Sequence, residues 1–114
     1  MMKVNGKKLV SNVECCDTSW KKARGLMFSS KICDKALVFP FNKPGRYSLH
    51  MMFVFYAIDV LFLDSSKKVV EIKENFKPFT VYSPSKLASY IVELPCGCAN
   101  SVKLGDKVSF SKSL

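Results

Sequence analysis

Apolar residues gather in short runs along the chain, and most of these runs predict β-strands. Residues 47–55 and 57–63 are rich in aromatic, branched and large aliphatic side chains, so they predict two consecutive buried strands, with one buried helix as the alternative. The polar stretch 64–68 predicts a turn. Residues 69–74 then alternate between apolar and charged side chains, which is typical of the second strand of a hairpin.

The remaining strand predictions are residues 36–41, 80–82, 88–94 and 107–110, with a weaker one around 9–13. Pro40 places the strand 36–41 at an edge or at the end of a ladder, because proline has no amide hydrogen to donate. One helix of about two turns is predicted over residues 17–25. Its polar first residues can accept a hydrogen bond from a free amide, and Gly25 can end it in a left-handed conformation.

A chain of 114 residues has room for one hydrophobic core, so we expect a single domain over residues 1–114. About seven short strands and one or two short helices make this a mostly β domain, or β-rich α+β. A sheet curled into a small closed or partly closed barrel leaves few strand edges exposed. The barrel is therefore the predicted architecture.

Four sequence blocks resemble one uncharacterised family, which is known as domain of unknown function 192. They lie at residues 20–28, which include Ala23-Arg24-Gly25-Leu26-Met27-Phe28, and at 50–64, 69–79 and 88–106. The blocks occur in the family's order and cover about four fifths of the chain. The resemblance implies a compact β-barrel-like domain and a short, archaeal-like form without a secretion leader. It implies no reaction, ligand or catalytic residue.

Two carboxylates lie inside apolar strands, where a bare charge costs several kcal/mol to bury. Asp59 and Glu93 therefore either face solvent, find hydrogen bonds, or line a pocket as a proton-transfer pair. His50, the only histidine, and Met51 complete the candidate ligand pocket. A structural role for Asp59 and Glu93 is the alternative, and no residue is assigned as catalytic.

The thiols form an odd-numbered set without the spacing of a secreted disulfide scaffold: Cys15, Cys16, Cys33, Cys96 and Cys98. Cys96 and Cys98 are separated by one residue, not by the two of a common zinc knuckle. A soft-metal site with His50, a redox pair at Cys96 and Cys98, and scattered reduced thiols all stay open. No metal ion and no cofactor is predicted.

Positive charge dominates the first part of the chain. The chain carries a net charge of +9, of which residues 1–46 contribute +7, from ten basic and three acidic residues. A basic surface of this kind attracts RNA or the ribosome, and a solvated lysine-rich surface is the alternative. The candidate nucleic-acid contacts are Lys7, Lys8, Lys21, Lys22, Arg24 and Arg46.

We expect a cytoplasmic location, because the N-terminal residues show no apolar leader and the longest apolar run is too short to span a membrane. The expected partners are an unidentified small ligand or protein, with RNA or the ribosome as the alternative and no membrane. A binding or accessory domain is the leading functional interpretation. A small enzyme or thiol–metal site around His50, Asp59 and Glu93 is the third hypothesis.

Overall fold

The computed structural model describes residues 1–16, 26–27 and 29–111, and its strands form three sheets. The strands are β1 (Met2–Val4), β2 (Lys7–Val10), β3 (Asn12–Cys15), β4 (Lys35–Gly45), β5 (Leu49–His50), β6 (Ile58–Leu63), β7 (Val69–Phe76), β8 (Val81–Tyr82), β9 (Ala88–Pro95) and β10 (Val108–Phe110). A 3-10 helix, Cys98–Ser101, follows β9. The mostly β fold class is therefore confirmed.

A five-stranded sheet in the order β3-β4-β9-β6-β7 forms the centre of the fold and is buried on both faces. One face packs against the three-stranded sheet β10-β1-β2, and Leu61, Val92 and Met2 lie in the core between them. The other face is covered by the two-stranded sheet β5-β8 and by loops, over a second core that contains Phe62, Ile91 and Met51. This two-sided cover accounts for β6, in which every residue is buried.

The predicted barrel is wrong, because the described strands form separate layers and the central sheet stays open. Its outer strands, β3 and β7, do not pair with each other, and each of the three sheets has its own strand order. A barrel wall in water needs side chains that alternate between core and solvent. The apolar residues of β6 lie on both faces of the strand and instead require apolar partners on both, which layers provide and a single closed wall does not.

The two central apolar segments are not neighbouring strands, and this part of the prediction is also wrong. Only Leu49–His50 of the first segment forms a strand, and it pairs with β8. The second segment forms β6, which pairs with β7 and β9. Residues 51–57 make a loop between them, because Met51 exchanges backbone hydrogen bonds with a distant segment and Phe53 takes a left-handed φ of 59°.

The predicted hairpin is confirmed as the antiparallel pair β6–β7, and the predictions near 80–82, 88–94 and 107–110 match β8, β9 and β10. Pro40 predicts either an edge strand or the end of a ladder. β4 is not an edge strand, since it lies between β3 and β9. The second alternative is confirmed, because Pro40 lies beyond Val38, the last residue of β4 that pairs with β3.

The helix predicted over residues 17–25 lies outside the described residues. Within the part of the chain that the structure describes, there is no helix long and apolar enough to cross a membrane.

Candidate functional site

A buried methionine joins two loops at one end of the molecule. Met51 follows β5 and lies in the core beneath the β5–β8 sheet. Its backbone N–H donates to the carbonyl of Thr80 at 2.8 Å, and its own carbonyl accepts from the amides of Phe79 at 2.7 Å and Val54 at 3.2 Å. The loops 51–57 and 77–80 are thereby fixed to each other next to the paired residues of β5 and β8.

These loops carry a group of exposed apolar side chains, which we call the aromatic surface: Met52, Phe53, Phe55, Phe79 and Val81. The Phe79 ring lies at its centre. The Phe53 and Phe55 rings contact it edge to face, with centroid distances of 5.9 and 5.5 Å and interplanar angles of 72° and 70°. The three phenylalanines remain 43%, 63% and 46% exposed in chain order.

Two of these phenylalanines have a backbone conformation that their residue type disfavours. Phe53 has a φ of 59° and Phe79 a φ of 58°. For a bulky residue the left-handed region costs on the order of 1 kcal/mol, because Cβ approaches the backbone carbonyl. The loops therefore direct two aromatic rings outward at an energetic cost, where the rings gain little core burial.

A hydrogen-bonded carboxylate supports the strand β8 beside the aromatic surface. Glu71 accepts hydrogen bonds from the Tyr82 hydroxyl, from the amides of Ser85 and Lys86 at 3.0 Å each, and from the Ser85 hydroxyl. Partial burial raises the pKa of Glu71, but these donors outweigh it and hold the pKa below its usual range. The bond to Glu71, with burial, raises the pKa of Tyr82 to about 12.

Cationic and polar side chains lie around the aromatic surface. His50 is exposed on β5 and pairs with Val81, and its Nδ1 accepts a hydrogen bond from the Met52 amide at 3.2 Å. The Lys73 ammonium lies 5.4 Å from the centroid of the Tyr82 ring, and the exposed Lys77 precedes the Phe79 loop.

Asp59 is buried and satisfied by backbone amides. Its Oδ1 accepts from the amide of Asn75, and its Oδ2 accepts from those of Gly97 and Ala99, each at 2.9 Å. Gly97 makes this possible by taking a φ of 96° in the turn that leads from β9 into the 3-10 helix. The carboxylate thus ties β6, β7 and this turn together, which is a structural role.

Glu93 is also buried, on the opposite face of the sheet. It lies on β9 between Leu37 of β4 and Val60 of β6 in the register of the sheet. Within the described residues its Oε1 atom has no hydrogen-bond partner. Burial raises the pKa of Glu93 to about 7, because a bare carboxylate is poorly solvated among apolar neighbours.

The half-buried Tyr56 lies within the electrostatic range of Glu93, and its hydroxyl is 2.7 Å from that of Ser29. Burial raises the pKa of Tyr56. The hydrogen bond with Ser29 opposes the rise, and the charge of Glu93 adds to it.

The structure separates the four residues predicted to share a pocket. Asp59 is opposite Leu94 and Glu93 is opposite Val60, so the two carboxylates occupy adjacent register positions on opposite faces of the sheet. Met51 is buried in the core on the Glu93 side, while His50 is exposed. The geometry does not form the predicted carboxylate pair, and His50 alone borders the aromatic surface directly with its side chain.

The described cysteines are free thiols at different depths: Cys15, Cys16, Cys33, Cys96 and Cys98. Burial raises the pKa of Cys98, and the charge of Asp59 adds to the rise, so this thiol is a poor nucleophile. Within residues 1–16, 26–27 and 29–111, no three His, Cys, Asp or Glu side chains come together in a way that could hold a metal ion.

The described basic candidates lie on different layers of the fold. Lys7 and Lys8 are exposed on β2 of the three-stranded sheet, whereas Arg46 is exposed on the segment between β4 and β5. The other candidates, Lys21, Lys22 and Arg24, fall outside the described residues. Binding of RNA by this set stays a prediction.

Sequence reasoning missed the phenylalanines of the aromatic surface, because their apolar character predicted a buried strand. The residues that point outward, Phe53 and Phe55, alternate with the buried Val54, and this pattern resembles a strand with both faces apolar. A left-handed φ at phenylalanine leaves no signature in the sequence. The one available signal is Pro78, a turn-forming residue directly before Phe79.

Comparison with known proteins identifies the family. The family profile described as "DUF192: Uncharacterized ACR, COG1430" matches residues 1–110. The chain belongs to the DUF192 family. It is 38% identical over 112 residues to a UPF0127 protein of Thermococcus sibiricus, a match that covers 95% of this chain and 71% of that protein. It is 36% identical over 114 residues to a UPF0127 protein of Pyrococcus horikoshii, with 96% and 98% covered.

A solved structure has the same fold as this DUF192 domain. The crystal structure of a protein of unknown function from Novosphingobium aromaticivorans superposes with a TM-score of 0.80 and 26% sequence identity, and the match covers 86% of this chain and 74% of that one. The family of this domain is uncharacterised.

Replacement of Asp59 by asparagine is expected to destabilise the domain. Asparagine replaces one accepting oxygen by an NH₂ group, which would face an amide donor and leave buried N–H groups unpaired. We expect the Asp59→Asn variant to lose about 2–4 kcal/mol of unfolding free energy, because hydrogen bonds to a buried charge are strong. Urea denaturation measures this loss. Asp34→Asn is the control, since Asp34 is exposed and accepts a hydrogen bond from the amide of Ser11. An equal loss of unfolding free energy in both variants would contradict the structural role of Asp59.

Glu93 is expected to make stability fall as the pH rises. Its pKa is raised in the folded state from a usual value of 4.5 to about 7, so the folded protein holds this proton more tightly than the unfolded chain. The favourable contribution is complete below about pH 4.5 and is lost as the pH rises through about 7. The Glu93→Gln variant carries no such titration, so its stability relative to the original protein should rise by up to about 3 kcal/mol between pH 4 and pH 8.

Urea denaturation of both proteins at several pH values measures this difference. Glu74→Gln is the matched control, because Glu74 is an exposed glutamate on β7 of the same sheet. The stability difference between Glu93→Gln and the original protein could instead be independent of pH, or equal to the difference for Glu74→Gln. Either result would show that the Glu93 carboxyl titrates normally.

Proposed function

We propose that this domain is a binding or accessory module and that the aromatic surface contacts its partner. Contiguous exposed apolar side chains on a small domain commonly mark an interaction site, whereas single exposed apolar residues do not. The aromatic surface is contiguous, since Phe53 and Phe55 both contact the Phe79 ring. Leu104, which is 67% exposed in a turn near the other end of β7, is a single exposed side chain for comparison.

The observation that carries this proposal is the left-handed φ of Phe53 and Phe79. Unfavourable backbone conformations persist where the surrounding structure imposes them, and they concentrate at functional sites. Burial in the core does not compensate these two residues, because both are more than 40% exposed. The energetic cost of these two backbone conformations is consistent with phenylalanine rings that are positioned to contact a partner molecule.

A small aromatic solute provides a direct test of this surface. We expect titration with phenol to shift the amide NMR signals of residues 50–55 and 77–82 most strongly, because phenol can pack against the phenylalanine rings. The Phe55→Ser variant should lose most of these shifts, and the Leu104→Ser variant should keep them. Shifts that centre on residues 103–105, or the absence of any localised shift, would contradict the proposal.

A pair of glycine variants tests whether strain is stored at the surface. Phe79→Gly removes an unfavourable left-handed residue, because glycine adopts a φ of 58° without a clash. Phe55→Gly also removes an exposed ring and leaves both left-handed phenylalanines in place. We expect Phe79→Gly to be the more stable variant by about 1 kcal/mol in urea denaturation, and both variants to bind phenol weakly. Equal stabilities, or a less stable Phe79→Gly, would remove the argument from strain.

A further inference from the structure

We infer that the ligand of the aromatic surface is a short acidic segment of another protein, anchored by one or two apolar side chains. The inference rests on the function proposed above and specifies its partner. It is argued from the size of the surface, the chemistry of its side chains and the charges around it.

The size of the surface fits a short segment better than a second copy of this chain. A fully buried phenylalanine covers about 150–250 Å², so three half-exposed rings leave on the order of 100 Å² each. With Met52 and Val81 the exposed apolar area is on the order of 500 Å². A stable protein dimer buries about 800 Å² on each partner. One or two apolar anchors of a peptide would cover the available area.

The chemistry of the surface favours a peptide over a nucleic acid. Its side chains are phenylalanine, methionine and valine, which have no hydrogen-bonding groups to recognise base edges or a ribose hydroxyl. Nucleic-acid affinity also depends on several lysine or arginine contacts to successive phosphates. Lys73 and Lys77 lie near this surface, while Lys7 and Lys8 are on the three-stranded sheet beyond the central sheet.

The charges around the surface favour an acidic segment. Lys77 precedes Phe79, and Lys73 lies over the Tyr82 ring. Of the acids on β7, Glu71 is occupied by Tyr82 and the loop that follows it, and Glu74 is the exposed carboxylate between Lys73 and Lys77. A partner with aspartate or glutamate beside its apolar anchors would meet a net positive charge from Lys73 and Lys77 at the rim.

Fluorescence anisotropy with a labelled synthetic peptide tests this inference. The probe has about twelve residues, with leucine and phenylalanine anchors separated by aspartate and glutamate. We expect Phe55→Ser to weaken binding about tenfold or more, as loss of a central aromatic anchor does. Lys77→Glu should weaken it several-fold, with an effect that decreases at high salt. The matched controls Leu104→Ser and Lys103→Glu, at the other end of β7, should bind as the original protein does.

The comparison probes separate the inference from the proposed function. Equal binding of a peptide with asparagine and glutamine in place of the acids would overturn the acidic character of the partner. Binding of oligouridine but not of the peptide, sensitive to Phe55→Ser, would overturn the peptide partner and leave the aromatic surface as the binding site. A dimer in sedimentation that Phe55→Ser dissociates would assign the surface to a second copy. If neither phenol nor any probe binds there, the proposed function fails as well.

Discussion

Burial of the central sheet on both faces is the constraint on which the rest of this fold depends. Once β6 and β9 are covered on two sides, their polar groups must be satisfied from within the protein. The same constraint requires a covering layer on each face, and the two layers differ in how regular they are. A regular three-stranded sheet covers one face, and a two-stranded sheet with long loops covers the other. The candidate binding surface lies on the irregular cover.

The two buried carboxylates of the central sheet, Asp59 and Glu93, have different hydrogen-bonding environments. Asp59 lies near the end of the sheet, where the turn after β9 and the last residues of β7 offer free amides. Glu93 is one register position away but faces the other core, and its Oε1 atom has no hydrogen-bond partner among the described residues. The two side chains are both buried carboxylates. The position of each one relative to free backbone amides therefore determines whether it stabilises or destabilises the fold.

Local patterns predicted the hairpin β6–β7 and the strands β9 and β10 because alternation and turn residues act between near neighbours. The sequence could not predict the pairing of β5 with β8 or of β3 with β4, which joins distant segments. The clearest case is Phe53. Its apolar character predicted a buried strand. Instead, Met51 donates a hydrogen bond to the carbonyl of the distant Thr80 and accepts one from the amide of Phe79, and these bonds turn the chain and expose the ring. The predicted pairing of Asp59 with Glu93 depended in the same way on a distant contact, since the register of β6 against β9 places the two carboxylates on opposite faces.

The Met51 carbonyl accepts amides from both loops of the aromatic surface, and this has a mechanical consequence. Neither loop can leave its position without breaking a bond at that oxygen, so the loops should shift together as one rigid flap. The side chain of the same residue is buried under the flap, which connects any displacement of the rings to the core around Phe62 and Ile91. Contact at a single ring would then be transmitted to the whole flap, and amide exchange at Phe79 would slow when a ligand touches only Phe55.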